Sequence, residues 1–141
     1  MRALSAFGLR MERRRCQCRA FQKRTQLSTV ANRTSRIARG DVLVFKTIRN
    51  EMRRLPFFLE YYRKLGVSHF LFVDNGSADG SADLLAGEDD VSLLTTQASY
   101  KSSRFGTDWL NWLKFRYGDG HWPLTLDPDE ILIYPFCDPR P

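Results

Sequence analysis

The residues whose types and spacing could do chemistry are concentrated in the segment LTLDPDEILIY, residues 124–134. Its acids Asp127, Asp129 and Glu130 lie between two apolar runs. In an extended segment, side chains two residues apart point to the same side, so Asp127 and Asp129 can face one ligand. Two carboxylates this close require a cation, and their hard oxygen atoms suit Mg²⁺ or Mn²⁺, which bridges to substrate phosphates. The pair therefore predicts a metal site with Asp127 and Asp129 as ligands.

Two neighbouring residues support this interpretation. Pro128 restricts Asp127 to an extended backbone, and Glu130 is expected on the opposite side as a structural acid. A solvated acidic turn is the simpler interpretation of an isolated D-x-D, because such triplets are common by chance. The apolar flanks and the position after a strand favour a binding site instead.

An alternating order of strands and helices must position this segment. Apolar and β-branched runs predict strands over residues 41–48, 67–73, 91–96 and 121–126, with residues 131–134 continuing beyond the acids. Three- and four-residue apolar spacing and turn residues predict helices over residues 49–66, 81–86 and 104–118. The order predicts an α/β fold, an open and mostly parallel sheet flanked by helices.

Polar residues follow every predicted strand. Since open α/β sheets bind ligands at the carboxyl ends of their strands, these residues predict one binding crevice. Asp74 could accept a hydrogen bond from a base or ribose, and Arg49, Lys101 and Arg104 could contact a diphosphate, with solvent-facing charge as the alternative for each cation. The candidate ligand-binding residues are Arg49, Asn50, Glu51, Asp74, Lys101, Arg104 and Asp127.

The amino-terminal residues 1–39 differ in charge from the rest of the chain. They hold 11 Lys or Arg against one acid, a net charge of +10, whereas residues 40–141 hold 11 basic and 15 acidic residues, a net charge of −4. Without a sustained apolar period, residues 1–39 are predicted to be a basic, disordered arm preceding one domain over residues 40–141. The arm could be an organelle transit peptide, or could contact anionic membrane or RNA through its charge.

The cysteines Cys16, Cys18 and Cys137 do not predict a zinc site or a disulfide framework. Their odd number and the lack of a clear signal peptide favour reduced thiols and a cytoplasmic setting. No apolar run approaches the roughly 18 residues that cross a bilayer. We therefore expect at most peripheral contact with the inner face of a membrane.

Taken together, the motifs resemble glycosyltransferase family 2. The segments TIRNE, LPFFLEYYRKLGVSHFLFVDNGSADGS and LDPDE follow one another in the order of the branch that has R-N-E in its first loop and D-x-D-E after a later strand. The resemblance covers about residues 41–139 and leaves out the basic arm. It implies a GT-A fold, Rossmann-like in its sheet, that binds a nucleotide-diphosphate sugar with Mn²⁺ or Mg²⁺ and transfers the sugar, with inversion, to an acceptor hydroxyl.

The resemblance also assigns roles to residues. Asn50, Glu51 and Asp74 would line the nucleoside pocket, and Asp127 and Asp129 would hold the metal and the sugar diphosphate. The family's acceptor half, which supplies the catalytic base, follows the D-x-D, and nothing after Glu130 offers a well-placed base. The resemblance thus implies the donor-binding half only, truncated after the D-x-D strand, with the base and the acceptor (a glycan, lipid-linked or other hydroxyl) unidentified.

Two other functions are alternatives to this one. A remnant of such an enzyme would bind nucleotide without transferring sugar, and a protein acting through residues 1–39 would bind nucleic acid or anionic membrane. A Rossmann dehydrogenase is disfavoured because no G-x-G-x-x-G follows the first predicted strand.

Overall fold

In the part of the chain that the structure describes, five strands form one sheet with helices on both faces. The structure, a computed structural model, describes residues 6–127 and 129–133. The helices are α1 (Ala6–Lys23), α2 (Leu55–Lys64), α3 (Ser81–Gly87) and α4 (Thr107–Tyr117), with short 3-10 turns at Arg24–Gln26, Thr34–Arg36 and Lys101–Ser103. The strands are β1 (Ser28–Ala31), β2 (Val42–Ile48), β3 (His69–Asp74), β4 (Val91–Thr95) and β5 (Trp122–Leu124).

The sheet is mostly parallel, with the strand order β1-β4-β3-β2-β5. Strands β2, β3, β4 and β5 pair in parallel, and β1 pairs antiparallel with β4 at one edge. Alternate residues of the central strands are buried on opposite faces, Val44 and Phe72 under α2 and α3, Phe45 and Leu71 under α4. The predicted α/β fold with a mostly parallel sheet flanked by helices is confirmed.

Two predicted helices begin later than their sequence patterns indicate. Helix α2 begins at Leu55, with Pro56 in its first turn, and residues 49–54 form a loop in which Asn50 has a φ of 56°. Helix α4 begins at Thr107, because Arg104 and Phe105 before it have φ values of 51° and 56°. A positive φ is incompatible with a right-handed helix, so each helix can begin only after these residues. Of the predicted continuation over residues 131–134, residues 131–133 form no strand, and residue 134 lies outside the described residues.

The basic arm differs from its prediction, because residues 6–39 are structured and pack on the rest of the chain. Helix α1 lies against α4, with Ala20 fully buried and the Phe21 ring edge-on to Trp112 at 5.9 Å. Strand β1 extends the sheet beyond β4. The described fold therefore has no boundary at residue 39, and helices on both faces and all strands belong to one unit.

Arg33 anchors this segment to the sheet. Its guanidinium donates hydrogen bonds to the carbonyl oxygens of Val91 at 3.0 Å and Ala86 at 2.7 Å, and its backbone N–H donates to Ser92 Oγ at 3.0 Å. Hydrogen bonds from a charged group to backbone carbonyls are stronger than neutral ones. Arg33 therefore joins the arm to the region between α3 and β4.

We expect Arg33→Met to lower the free energy of unfolding by about 2 kcal/mol, because two carbonyl acceptors lose a charged donor. Arg36→Met is the matched control. Arg36 also contacts the segment between α3 and β4, through a hydrogen bond to the Asp89 carbonyl at 2.7 Å and an ion pair with the Asp89 carboxylate at 3.2 Å. These side chains are 57% and 86% exposed, so we expect the free energy of unfolding to change by no more than about 0.5 kcal/mol. Chemical denaturation of both variants measures this difference, and equal losses would contradict an anchoring role specific to Arg33.

The histidine and cysteine side chains do not form a metal site in the described region. His69 is buried, and its Nε2 lies 2.9 Å from Ser92 Oγ. Burial lowers the pKa of His69, so the ring is neutral near pH 7. Cys16 is half-buried and Cys18 exposed, both as free thiols, and Cys137 lies outside the described residues. Among the described helices, none combines the length and the apolar character needed to span a membrane.

Candidate functional site

A cavity of about 280 Å³ lies at the carboxyl end of β2. It is bounded by the loop of residues 49–54, called the first loop, and by the segment that follows β5. Strand β2 contributes Lys46, Thr47 and Ile48, and the loop after it contributes Arg49 and Glu51. The parallel pairing of β2 with both β3 and β5 places the carboxyl ends of these strands at the same edge of the sheet. The cavity therefore has the position in which α/β sheets bind ligands.

Other lining residues come from distant parts of the chain. Asn75 follows β3, Tyr100 follows β4, and Asp127 and Asp129 follow β5. Arg54 completes the wall beside Glu51, to which it is ion-paired at 3.1 Å. The cavity thus combines carboxylates and cations with an amide and a phenol ring.

Of the predicted site residues, the structure brings Arg49, Glu51, Asp127 and Asp129 to this cavity. The remaining four, Asn50, Asp74, Lys101 and Arg104, are not among its lining residues. Hydrogen bonds or ion pairs with residues outside the cavity lining account for three of these four.

Asp74 and Asn50 connect two loops at the rim. Asp74 is 3% exposed, and its carboxylate accepts hydrogen bonds from the Ser77 hydroxyl and, at 3.2 Å, from the Ser77 backbone N–H. The Asn50 N–H donates to Ser77 Oγ at 2.9 Å, and Asn50 Oδ1 accepts from the Ala78 N–H at 2.8 Å. Both residues therefore hold the first loop against the turn after β3.

Asp79 and Ser81 tie the next turn to the first loop. Asp79 accepts hydrogen bonds from the Ser81 hydroxyl at 2.6 Å and from the Met52 N–H at 3.0 Å. The Glu51 N–H donates to Ser81 Oγ at 2.9 Å. The loop that carries Arg49 and Glu51 is thus held along its length by side chains that follow β3.

Arg104 and Lys101 lie away from the cavity. The Arg104 Nε donates to Asp108 at 3.0 Å, and this carboxylate is 98% buried, so the pair is fixed at the start of α4 beside Cys16 of α1. Lys101 is exposed in the 3-10 turn before α4. The cations at the cavity are instead Arg49 with Lys46 and Arg54, two residues that the sequence interpretation did not single out.

Lys46 is the charged residue that β2 buries at its carboxyl end. Its ammonium forms an ion pair with the Asp127 carboxylate, and the two side chains are 11% and 58% exposed. Burial lowers the pKa of Lys46, while the negative charges of Asp129, Glu130 and Glu51 oppose this by favouring the protonated form. Lys46 thus supplies positive charge to the acidic segment from within the sheet.

The acidic segment is also held by α2. Tyr62 Oη donates a hydrogen bond to the Glu130 carbonyl at 3.0 Å and accepts one from the Leu132 N–H at 3.0 Å. The Glu130 carboxylate accepts from the Asp127 N–H at 3.2 Å, which is a structural role. Pro128 lies outside the described residues, but the Glu130 N–H donates a hydrogen bond to the Asp127 carbonyl at 2.9 Å, which is typical of a turn, so the extended geometry expected for the two carboxylates is wrong. The Tyr62 hydroxyl of α2 therefore holds the backbone on the carboxyl-terminal side of Asp129.

Asp127 and Asp129 are the carboxylates at this cavity that could hold a divalent ion. Within residues 6–127 and 129–133, no group of three or more Asp, Glu, His or Cys is placed to hold a metal ion. Asp127 and Asp129 line one cavity, however, and Mg²⁺ commonly takes one or two carboxylates and completes its octahedron with waters and substrate phosphates. The two carboxylates could therefore supply part of the ligands of a divalent ion, with the other positions left to water or a bound ligand.

Comparison of the chain with protein-family models, curated proteins and solved structures gives no match.

Proposed function

We propose that this chain binds a nucleotide-diphosphate sugar through a divalent metal ion, as the donor-binding region of a glycosyltransferase with a GT-A-type fold. One observation carries the proposal. Arg49 and Glu51, from the loop after β2, share a cavity with Asp127 and Asp129, from the segment after β5. These are the two segments whose R-N-E and D-x-D-E motifs resemble glycosyltransferase family 2.

The charges around the cavity suit a diphosphate. Asp127 and Asp129 would hold Mn²⁺ or Mg²⁺, and Lys46, Arg49 and Arg54 are the cations that could meet phosphate oxygens. When bound, the metal would neutralise charge that grows on the departing diphosphate as the sugar bond breaks. The chain's own cations would add to that stabilisation in a partly enclosed site, where charge interactions are stronger than in water.

The remaining wall suits a nucleoside. Tyr100 offers an aromatic ring on which a base can stack, and Asn75 is held in place by hydrogen bonds from its Nδ2 to the carbonyl oxygens of Thr96 at 3.2 Å and Ala98 at 3.0 Å. A volume of about 280 Å³ is close to the lower end of the range for small-molecule sites, so part of the donor would extend into solvent.

The test is calorimetric titration with uridine diphosphate in the presence of Mn²⁺ and in the presence of a chelator. We expect the metal to tighten binding by at least about tenfold, because it joins the two carboxylates to the diphosphate. Uridine monophosphate is the matched ligand control and should show a smaller effect of metal. Titration with the other nucleoside diphosphates identifies the preferred base. The proposal would be contradicted if no nucleoside diphosphate bound detectably, or if binding of all of them were independent of metal.

Catalysis is separated from binding by a second measurement. A donor carrying a radiolabelled sugar should lose that sugar to water or to an added acceptor if the chain has transferase activity. Binding of the nucleotide with Mn²⁺ and no release of sugar would identify a nucleotide-binding module instead.

A further inference from the structure

Lys46 has a position that a surface lysine could not reproduce. It belongs to a central strand, where it pairs in register with Phe72 of β3, and its side chain is 11% exposed. Its partner Asp127 lies on the segment after β5 and is 58% exposed. The cation is therefore fixed by the sheet, and the carboxylate reaches it from a solvent-facing segment.

We propose that Lys46 competes with a divalent metal ion for the Asp127 carboxylate. The Lys46–Asp127 ion pair breaks only when a diphosphate is present, because the Lys46 ammonium can then pair with a phosphate oxygen. This inference rests on the proposed function and adds to it a rule for binding, namely that metal and nucleotide bind together and each binds weakly alone. Lys46 acts in it as a positioning and specificity-determining residue.

The competition follows from the charges at the cavity. A divalent ion on Asp127 and Asp129 would lie beside the Lys46 ammonium and repel it. A buried ammonium that loses its carboxylate is costly unless another anion replaces it. Metal binding without a second ligand is therefore opposed by the loss of the Lys46–Asp127 pair.

The described cavity provides poor alternatives for the displaced ammonium. Glu51 is already paired with Arg54 at 3.1 Å, and the Glu130 carboxylate, whose charge also acts on Lys46, accepts a hydrogen bond from the Asp127 N–H at 3.2 Å. Asp129 would be the second carboxylate of the metal. A phosphate oxygen is the anionic group that a ligand would bring, and lysine is well suited to phosphate as a compact charge on a long side chain. Diphosphate thus removes the penalty that the free metal meets, which couples the two affinities.

The experiment measures Mn²⁺ affinity without nucleotide, by competition with a fluorescent chelator, and uridine diphosphate affinity with Mn²⁺, by calorimetry. We expect Lys46→Met to bind Mn²⁺ about tenfold more tightly than wild type and, with Mn²⁺ present, to bind uridine diphosphate about tenfold more weakly. Lys46→Gln should change both affinities in the same directions. Lys46→Arg keeps the charge and should retain the weak Mn²⁺ binding of wild type.

Lys64→Met is the matched control, because Lys64 is 45% exposed at the end of α2 and pairs with Glu60 at 2.9 Å. It should alter neither affinity. Equal Mn²⁺ affinity in wild type and both neutral Lys46 variants, with metal-dependent nucleotide binding intact, would overturn the competition and leave the proposed function standing. Failure of all variants and wild type to bind Mn²⁺ or nucleotide would overturn both.

Discussion

Asp129→Ala should weaken the Mn²⁺-dependent binding of uridine diphosphate by at least about tenfold, to near the affinity measured with a chelator present. Asp127 is engaged by Lys46, so Asp129 supplies the carboxylate that a metal can reach without first breaking an ion pair. Asp129 is exposed, and loss of its carboxylate should leave the stability of the fold within about 0.5 kcal/mol of wild type. Calorimetry therefore reports binding and not unfolding.

The control for Asp129→Ala is Asp89→Ala. Asp89 is an exposed acid that precedes β4. It therefore lies at the amino ends of the parallel strands, whereas the cavity lies at their carboxyl ends. Removing either carboxylate changes the net charge equally, so a general electrostatic effect would appear in both variants. If Asp129→Ala bound nucleotide and metal as wild type does, Asp129 would not be a metal ligand and the metal site as proposed would be wrong.

The central part of the fold could be predicted because its strands are buried on both faces. Runs such as VLVFKTI and HFLFVD carry no clear alternation, which is typical of strands covered by helices on either side. The segments between them have helical apolar spacing or turn residues, and the parallel order follows. Helix starts were less predictable, because Asn50 and Arg104 have positive φ values although neither is a glycine, the residue that usually signals this conformation.

The amino-terminal segment could not be predicted from periodicity. Residues 9–15 of α1 are exposed around the whole helix, so its sequence has no apolar stripe there. Its attachment depends on single residues, among them Ala20, Phe21 and Arg33. Strand β1 is short and mostly exposed, so it too lacks a recognisable pattern.

The residues that line the cavity could be predicted from the sequence where they directly follow the carboxyl end of a strand. Arg49, Glu51, Asp127 and Asp129 meet because parallel strands end at one edge. Asp74 and Arg104 do not line the cavity because each has a nearby partner in sequence, the first three residues away and the second four. Such spacings are signals for local turns and helical ion pairs, and they outweigh the strand-end rule for these two residues.

Lys46 carries a sequence signal that the strand-end rule does not use. It is the charged member of an otherwise uncharged buried strand, and it lies two positions before the end of that strand. A buried charge requires a partner or a ligand. Its position alone therefore indicates that an acid or an anion must come to the carboxyl end of β2.

A second large effect is expected at Gly106, where the first turn of α4 passes close to the cavity wall. Gly106 has a φ of 77°, and a Cβ atom added to it would lie 2.6 Å from Thr47 Oγ1 and 3.1 Å from Tyr100 Cε2. Thr47 and Tyr100 both line the cavity. We expect Gly106→Ala to lower the free energy of unfolding by about 3 kcal/mol, roughly 1–2 from the backbone and the rest from the steric clash.

Gly120→Ala isolates the two contributions, because Gly120 has a φ of 78° and a Cβ atom added to it would meet nothing within 4 Å. It should lose only the backbone part, roughly 1–2 kcal/mol, by chemical denaturation. Under conditions where both variants remain folded, Gly106→Ala should also bind uridine diphosphate more weakly, since Thr47 and Tyr100 must move. Equal stability losses and unchanged nucleotide binding would mean that Gly106 is required for its backbone conformation alone and that its close approach to Thr47 does not shape the site.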